Sequence, residues 1–203
     1  MSEINTSKAC RLCGEKNNSE IVIAQGIFEC NNCGCIYQSK NMDYSFYSKC
    51  DYWYKGSNDL KLYQKSIFVW FEDCILPGNS VEFGAADGDF IAIVRSKMEP
   101  IYYTDYNELV DMLRPEYKTK GNIGVIVCPL EEFRETRKYR NVFMINVLEH
   151  LNHPITALAK ISRILDDGGR IFIATDDGDS INAHNEILYY REHTCIFGRK
   201  GID

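Results

Sequence analysis

The chain has 203 residues, 45% of them hydrophobic, with 29 acidic against 23 basic side chains and a formal net charge of −6. That apolar content suffices for a globular core in one or two domains, and the charge balance argues against a broad nucleic-acid surface, which needs a Lys/Arg footprint. Met1–Lys8 carries no apolar leader and no apolar run approaches the ~20 residues of a membrane span, so the expectation is a cytoplasmic protein whose nine cysteines stay reduced, where clustered thiols bind metal.

Residues 1–9 read as a disordered tail. Cys10-Arg11-Leu12-Cys13-Gly14 and Cys30-Asn31-Asn32-Cys33-Gly34 follow, with 16 residues between the pairs. That spacing falls in the window for a four-cysteine zinc site. Each pair has a glycine after its second cysteine, which frees the turn so that backbone amides can face the thiolates. Cys10, Cys13, Cys30 and Cys33 together would form a closed, structural zinc ribbon rather than a catalytic site. Reduced, unliganded cysteines or two disulfides are the competing reading. Cys35 reads as a neighbour and not a ligand. Ile21–Ala24 and Gly26–Phe28 are the expected hairpin, in a module too small to hold together without its metal.

Residues 36–59 are dense in aromatics: Tyr37, Tyr44, Phe46, Tyr47, Tyr52, Trp53 and Tyr54. They read as a linker packed against the next domain, or as a platform on which a sugar or base could stack. Leu60–Leu76 follows with apolar residues at 60, 63, 67, 70, 71, 74 and 75, one face of a helix. Pro77-Gly78-Asn79 ends it.

Val81–Phe90 reads Val-Glu-Phe-Gly-Ala-Ala-Asp-Gly-Asp-Phe, and a helix-compatible run continues to Val94. This is the strand, glycine turn and helix of a nucleotide-binding unit: Gly84 permits the turn, and Gly88 lets backbone approach a ligand at the helix N-terminus. Ala86 stands where a dinucleotide fingerprint has its middle glycine, and Asp87 and Asp89 place negative charge where a pyrophosphate would sit. A ligand with a cationic or neutral group suits that turn better. A second strand, Ile101–Asp105, ends in a carboxylate placed to accept hydrogen bonds from ribose hydroxyls. A short helix over 109–113, a third strand over Ile123–Val127, another helix opening at Cys128–Glu132 and a fourth strand over Val142–Ile145 come next. Arg134, Arg137, Lys138 and Arg140 read as a solvated helix face. Thr156–Leu165 is an amphipathic helix, Asp166–Gly169 a turn, Arg170–Thr175 the fifth strand and Asp176–Asp179 a solvated acidic loop.

In order and spacing, Glu82–Gly88, Asp105, Val147-Leu148-Glu149-His150 and Leu165–Ile171 resemble four motifs of the class I S-adenosylmethionine-dependent methyltransferases. The form of Glu82–Gly88 is similar to the branch that acts in antibiotic and deoxysugar biosynthesis, members of which carry a zinc ribbon. The resemblance implies an α/β fold: a Rossmann-like, mostly parallel sheet with flanking helices. Its domains would be a ribbon over 1–38, an aromatic linker over 39–59 and a methyltransferase domain over 60–203. The implied cofactor is S-adenosylmethionine, held by Glu82, Gly84, Ala85, Ala86, Asp87, Gly88, Asp105, Tyr106, Leu130 and Asn146. Many members place an Asp after the third strand for the adenine amino group. Pro129 and its neighbours stand there instead, leaving backbone and apolar contacts around Leu130. Asn146 replaces an acid that a metal-using subset of the family has.

The implied reaction is methyl transfer to a small polar acceptor, and the expected acceptor is a sugar or sugar nucleotide. Two weak candidates for its base are His150 and His193; for Glu149-His150 the stronger reading is structural, fixing a loop. A complete sheet of this family has seven strands, and the chain stops before the last two. The expectation is a fragment or a shortened form, and in a shortened form the open edge would call for a partner, a second copy or the ribbon to cover it. A decayed binding or scaffold protein is therefore the first alternative function, and a ribbon-guided nucleic-acid methyltransferase the second.

Overall fold

The computed structural model describes residues 9–16, 18–20, 26–42, 58–85, 90, 93–94, 101–105, 123–127, 130, 133–134, 136–180, 183, 187 and 192–202. In chain order the elements are β1 (Asn18–Glu20), β2 (Ile27–Cys30), β3 (Ile36–Gln38), α1 (Asn58–Phe71), a 3-10 turn (Glu72–Cys74), β4 (Ser80–Phe83), β5 (Ile101–Asp105), β6 (Ile123–Val127), β7 (Tyr139–Ile145), a second 3-10 turn (Leu148–His150), α2 (Pro154–Ile164), β8 (Leu165–Ala174), β9 (Cys195–Ile196) and α3 (Arg199–Ile202). They fall into two compact units, one of residues 1–43, 146–158 and 175–203, the other of 44–145 and 159–174.

The first unit is built on an antiparallel sheet in the order β1-β2-β3-β9. Cys30 ends β2 and Cys33 lies in the turn to β3, so the hairpin lies closer to the second cysteine pair than the sequence suggests. Of the expected hairpin strand Ile21–Ala24, all four residues lie outside the described residues. The cysteine-bearing strands do not close on themselves: β9, far along the chain, pairs with β3 at Ile36↔Ile196 and Tyr37↔Cys195. Ile27, Ile36, Ala183, Ile187 and Ile196 form the apolar centre. Strands of two to four residues cannot bury enough surface alone, and β9 brings two fully buried apolar partners, Cys195 and Ile196.

The second unit is a parallel sheet in the order β6-β5-β4-β7-β8. β5 and β6 have the bounds expected from sequence. β4 is buried along its whole length, as a central parallel strand covered on both faces must be. Ile67, Phe68, Ala85, Phe90, Val94, Phe143, Ile145 and Phe172 pack as one cluster, with Phe71 and Ile75 at its margin. Trp70, expected on the buried face of α1, is 83% exposed. The buried stripe centres on Ile67, Phe68 and Phe71, and at 100° per residue Trp70 lies roughly 110° around the helix from that centre.

The fifth strand also differs. β8 begins at Leu165, which pairs with Tyr139, and the register then jumps to Asn141↔Arg170. Asp166–Gly169, expected as a turn, bulge out of the ladder between those pairs. The basic residues read as a helix face are not helical: residues 136–138 are irregular, and Arg140 lies in β7, with Nη1 donating to the Asp167 carbonyl at 2.7 Å. The fully buried Asn141 ties β7 down, accepting from the Leu76 amide at 2.9 Å and donating to the Leu76 carbonyl at 2.7 Å. Residues 43–57 of the aromatic linker expected over 39–59, and the helix over 109–113, lie outside the described residues.

Candidate active site and four-cysteine site

In the second unit the strand order reverses at β4: β5 and β6 lie to one side, β7 and β8 to the other. A parallel α/β sheet binds its ligand beyond the carboxyl end of the strands at such a switch point. Gly84 follows β4 with φ +69°, a left-handed conformation that suits glycine. Ala85 after it is buried at 3%, and Glu82 before it also at 3%. β5 ends on Asp105, one register position beyond the pair Phe83↔Thr104. Leu130 is buried and its carbonyl accepts from the Phe133 amide at 3.2 Å. Ala86, Asp87, Gly88 and Tyr106 lie outside the described residues.

In the first unit a separate set of side chains converges. Asn146 has φ +54°, the left-handed region that asparagine tolerates better than most residues. The 3-10 turn after it buries Leu148, Glu149 and His150 together. Glu149, His150 and His193 place their ligand-type atoms within 4.8 Å of one another. The two imidazoles meet edge to face with centroids 4.7 Å apart. His193 Nδ1 pairs with Asp176 Oδ2 at 2.9 Å. Glu149 Oε2 accepts from Thr175 Oγ1 at 2.9 Å, whereas Glu149 Oε1 has no hydrogen-bond partner among the described residues and lies 4.0 Å from His150 Nε2. Asp176 and Thr175 were not legible as site residues. The acidic run 176–179 looks like a solvated loop, yet Asp176 is turned to His193, and Asp179 accepts from the Arg199 amide at 2.9 Å.

The environment sets the charges. Burial pushes the Glu149 carboxyl up to about 7, against a smaller opposing effect from the Thr175 hydroxyl and His193. Burial and the neighbouring His193 hold His150 down at about 3, so it is neutral. Burial would also lower His193, but Asp176 and Glu149 outweigh it and raise the group. The cluster thus holds a neutral histidine, a histidine with enhanced basicity and a carboxyl that titrates near neutrality, a set suited to accepting and passing one proton.

The four cysteines also meet as the spacing requires. All four sulfurs lie within 4.8 Å of one another. Cys10 Sγ and Cys33 Sγ are 3.6 Å apart, and Cys13 Sγ and Cys30 Sγ 3.5 Å apart. A tetrahedron with Zn–S of about 2.3 Å has edges of roughly 3.8 Å, so the set fits zinc and is too open for disulfides. The two pairs are built alike. The Gly14 amide donates to the Cys10 carbonyl and the Gly34 amide to the Cys30 carbonyl, each at 2.9 Å. The Leu12 amide points at Cys10 Sγ and the Cys33 amide at Cys30 Sγ. Cys35 is fully buried outside this set, its thiol donating to the Ile36 carbonyl at 3.7 Å.

A family model described as a methyltransferase domain matches residues 59–202. The chain belongs to this methyltransferase family. It is an S-adenosylmethionine-dependent methyltransferase, and known structures share its class I fold. A chain of the complex between the Haloferax volcanii Trm112 methyltransferase activator and its methyltransferase is 16% identical, with 78% of this chain and 72% of that chain covered at a TM-score of 0.64. The N-methyltransferase NodS of Bradyrhizobium japonicum, solved with S-adenosylhomocysteine, is 14% identical over 64% of this chain and 69% of its own, at 0.55. A protein solved as a complex of DhpI with S-adenosylmethionine is 12% identical over 72% of each chain, at 0.51. No curated protein matches the chain significantly. Among the described residues no helix is long and apolar enough to cross a membrane.

In this methyltransferase the Glu149 proton has a measurable consequence. The folded state keeps it to higher pH than the unfolded chain, whose carboxyl titrates near 4.5. Stability from this group is fully present below the unfolded value and is lost as pH rises through about 7. The difference corresponds to roughly 3 kcal/mol. His150 runs the other way: its contribution is present above its ordinary 6.5 and is lost as pH falls towards 3. Glu149→Gln, neutral at every pH and still an acceptor for Thr175, is therefore expected to melt higher than the parent at about pH 8 and close to it at about pH 5. Thermal denaturation at the two pH values checks this.

Proposed function

We propose that this methyltransferase moves a methyl group from S-adenosylmethionine to a hydroxyl or acidic C–H of a small polar acceptor, a sugar or sugar nucleotide, and that its four cysteines hold a structural zinc. The observation that carries the cofactor site is the left-handed Gly84 at the point where the strand order reverses, with Asp105 ending the adjacent strand. The form of Glu82–Gly88, similar to that of sugar-modifying relatives, supports the acceptor class. When bound, S-adenosylmethionine would supply an electrophilic methyl group, with S-adenosylhomocysteine as the leaving group. Glu82, Gly84, Ala85, Ala86, Asp87 and Gly88 would hold its amino-acid end. Asp105 and Tyr106 would hold the ribose, and Leu130 would lie along the base. With Nδ1 on Asp176, His193 takes the acceptor proton at Nε2. Glu149, itself titrating near 7, stabilises the imidazolium, and the neutral His150 packs behind it.

The test is calorimetric titration of the zinc-loaded chain with S-adenosylhomocysteine, followed by incubation of the methyl donor with nucleotide sugars and mass detection of one added methyl group. Binding on the order of micromolar is expected. Asp105→Ala should weaken it roughly 10–100-fold, because a carboxylate accepting from two ribose hydroxyls is lost. Unchanged affinity in Asp105→Ala would remove that residue from the site, and a folded chain that binds no S-adenosylhomocysteine would overturn the cofactor reading.

A further inference from the structure

The four-cysteine module is tied to both peptide segments that carry the acid–base side chains. Arg11, inside the first cysteine pair, donates from Nη1 to the Asn152 carbonyl at 2.7 Å and from Nε to the Gln38 carbonyl at 3.0 Å. Asn152 lies two residues past His150, and its side chain exchanges two hydrogen bonds with the Met42 backbone, at 2.8 and 3.1 Å. Gln38, the last residue of β3, reaches the other segment. Its Nε2 donates to the His193 carbonyl at 2.8 Å and its amide to the Thr194 carbonyl at 2.9 Å. Thr194 closes the loop: its amide donates to the Glu149 carbonyl at 2.7 Å and its Oγ1 to the Leu151 carbonyl at 2.6 Å.

The module thus reaches beyond the residues around its own metal, and the Gln38–Thr194 bond continues the β3–β9 pairing. The bonds run from Arg11 and Gln38 to the peptide of His193 itself, to the residue after it, and to the segment of Glu149 and His150. We propose that Gln38 and Arg11 are positioning residues for the methyl-transfer reaction, fixing His193 and Glu149 from the four-cysteine module so that the module governs proton acceptance and not cofactor binding. This rests on His193 being the base, as proposed above.

The groups that face His193 are Asp176 at 2.9 Å, the His150 ring, Glu149 and the adjoining Glu192. Asp176 and Glu149 hold its basicity up against burial. A loosened His193 peptide lengthens the contact with Asp176 and leaves burial to act, so the titration moves to lower pH.

The experiment uses the full zinc-loaded chain as parent, Gln38→Met, Arg11→Met and Arg11→Lys. His193 is titrated by NMR of its ring, S-adenosylhomocysteine affinity is measured by calorimetry, and the pH profile of methyl transfer is recorded. In Gln38→Met the His193 midpoint should fall by about one pH unit, with the acid limb of the profile following it. Turnover should fall roughly 10–100-fold, while S-adenosylhomocysteine affinity stays within about two-fold because β4 and β5 are untouched. Arg11→Met should act in the same direction, and Arg11→Lys should restore part of the loss. An unmoved His193 titration in both Met variants overturns the proposal, as does a parallel loss of cofactor affinity, which would mean general loosening. The ring titration needs no acceptor, so a failure to find a methylated product leaves it decisive.

Discussion

His193→Ala should slow methyl transfer roughly 10²–10⁴-fold while S-adenosylhomocysteine affinity stays nearly unchanged, as expected when a general base is removed. The imidazole is set up for the role from two sides. Asp176 meets Nδ1 at 2.9 Å, and Glu149 lies within 4.8 Å. Both favour the protonated ring over what burial alone would impose. A base with raised affinity for its proton must first be neutral to act. The rate of the parent should therefore climb as pH rises through a midpoint above the ordinary histidine value. Asp176→Asn removes the main support, and the climb should move to lower pH with a reduced maximum. His150 is the control. Held neutral near 3 by burial, it cannot supply that limb, and His150→Asn should leave the midpoint almost in place. A His193→Ala enzyme with parental turnover would eliminate His193 as the base.

Cys33→Ser, or removal of the metal by a chelator, should unravel the antiparallel unit while the parallel sheet persists. The reason is size. β1, β2, β3 and β9 contain three, four, three and two residues, and among the described residues their apolar cluster has five side chains. Such a core falls short of the entropy of ordering its loops. Structural zinc contributes binding free energy on the order of 10 kcal/mol, which appears as folding free energy in a site that does not pre-exist in the unfolded chain. Hydrogen exchange measures this directly. Amides of β2, β3 and β9 should lose protection on chelation, together with the Thr194 amide that donates to Glu149 at 2.7 Å, while β4 and β7 keep theirs. Full protection of β2 and β3 without metal would show that the cysteines pack as an ordinary core.

The parts of this protein whose causes are local were legible in its amino-acid order. Ile101–Asp105 and Ile123–Val127 are short apolar runs between polar segments, and both became strands with the expected bounds. Gly84 stands where a left-handed turn is needed, and a residue without Cβ shows that need in its identity. Two cysteine pairs with glycines after them carried their geometry in their spacing. The tertiary structure decided what depends on contacts between distant segments. Cys195-Ile196 is too short and too uniformly apolar to announce itself as a strand, and became one only because β3 offered an unpaired edge. Trp70 fits the apolar period of α1, yet it lies outside the stripe that the sheet covers, since periodicity fixes a direction around the helix only to within a neighbouring residue. Asp176 reads as one acid among several in a solvated loop. Its meaning comes from His193, which lies far along the chain and raises no signal in local pattern. A hydrogen bond or ion pair between residues so far apart is written in the packing of the whole unit, and a base is recognisable only once the groups that set its charge are beside it.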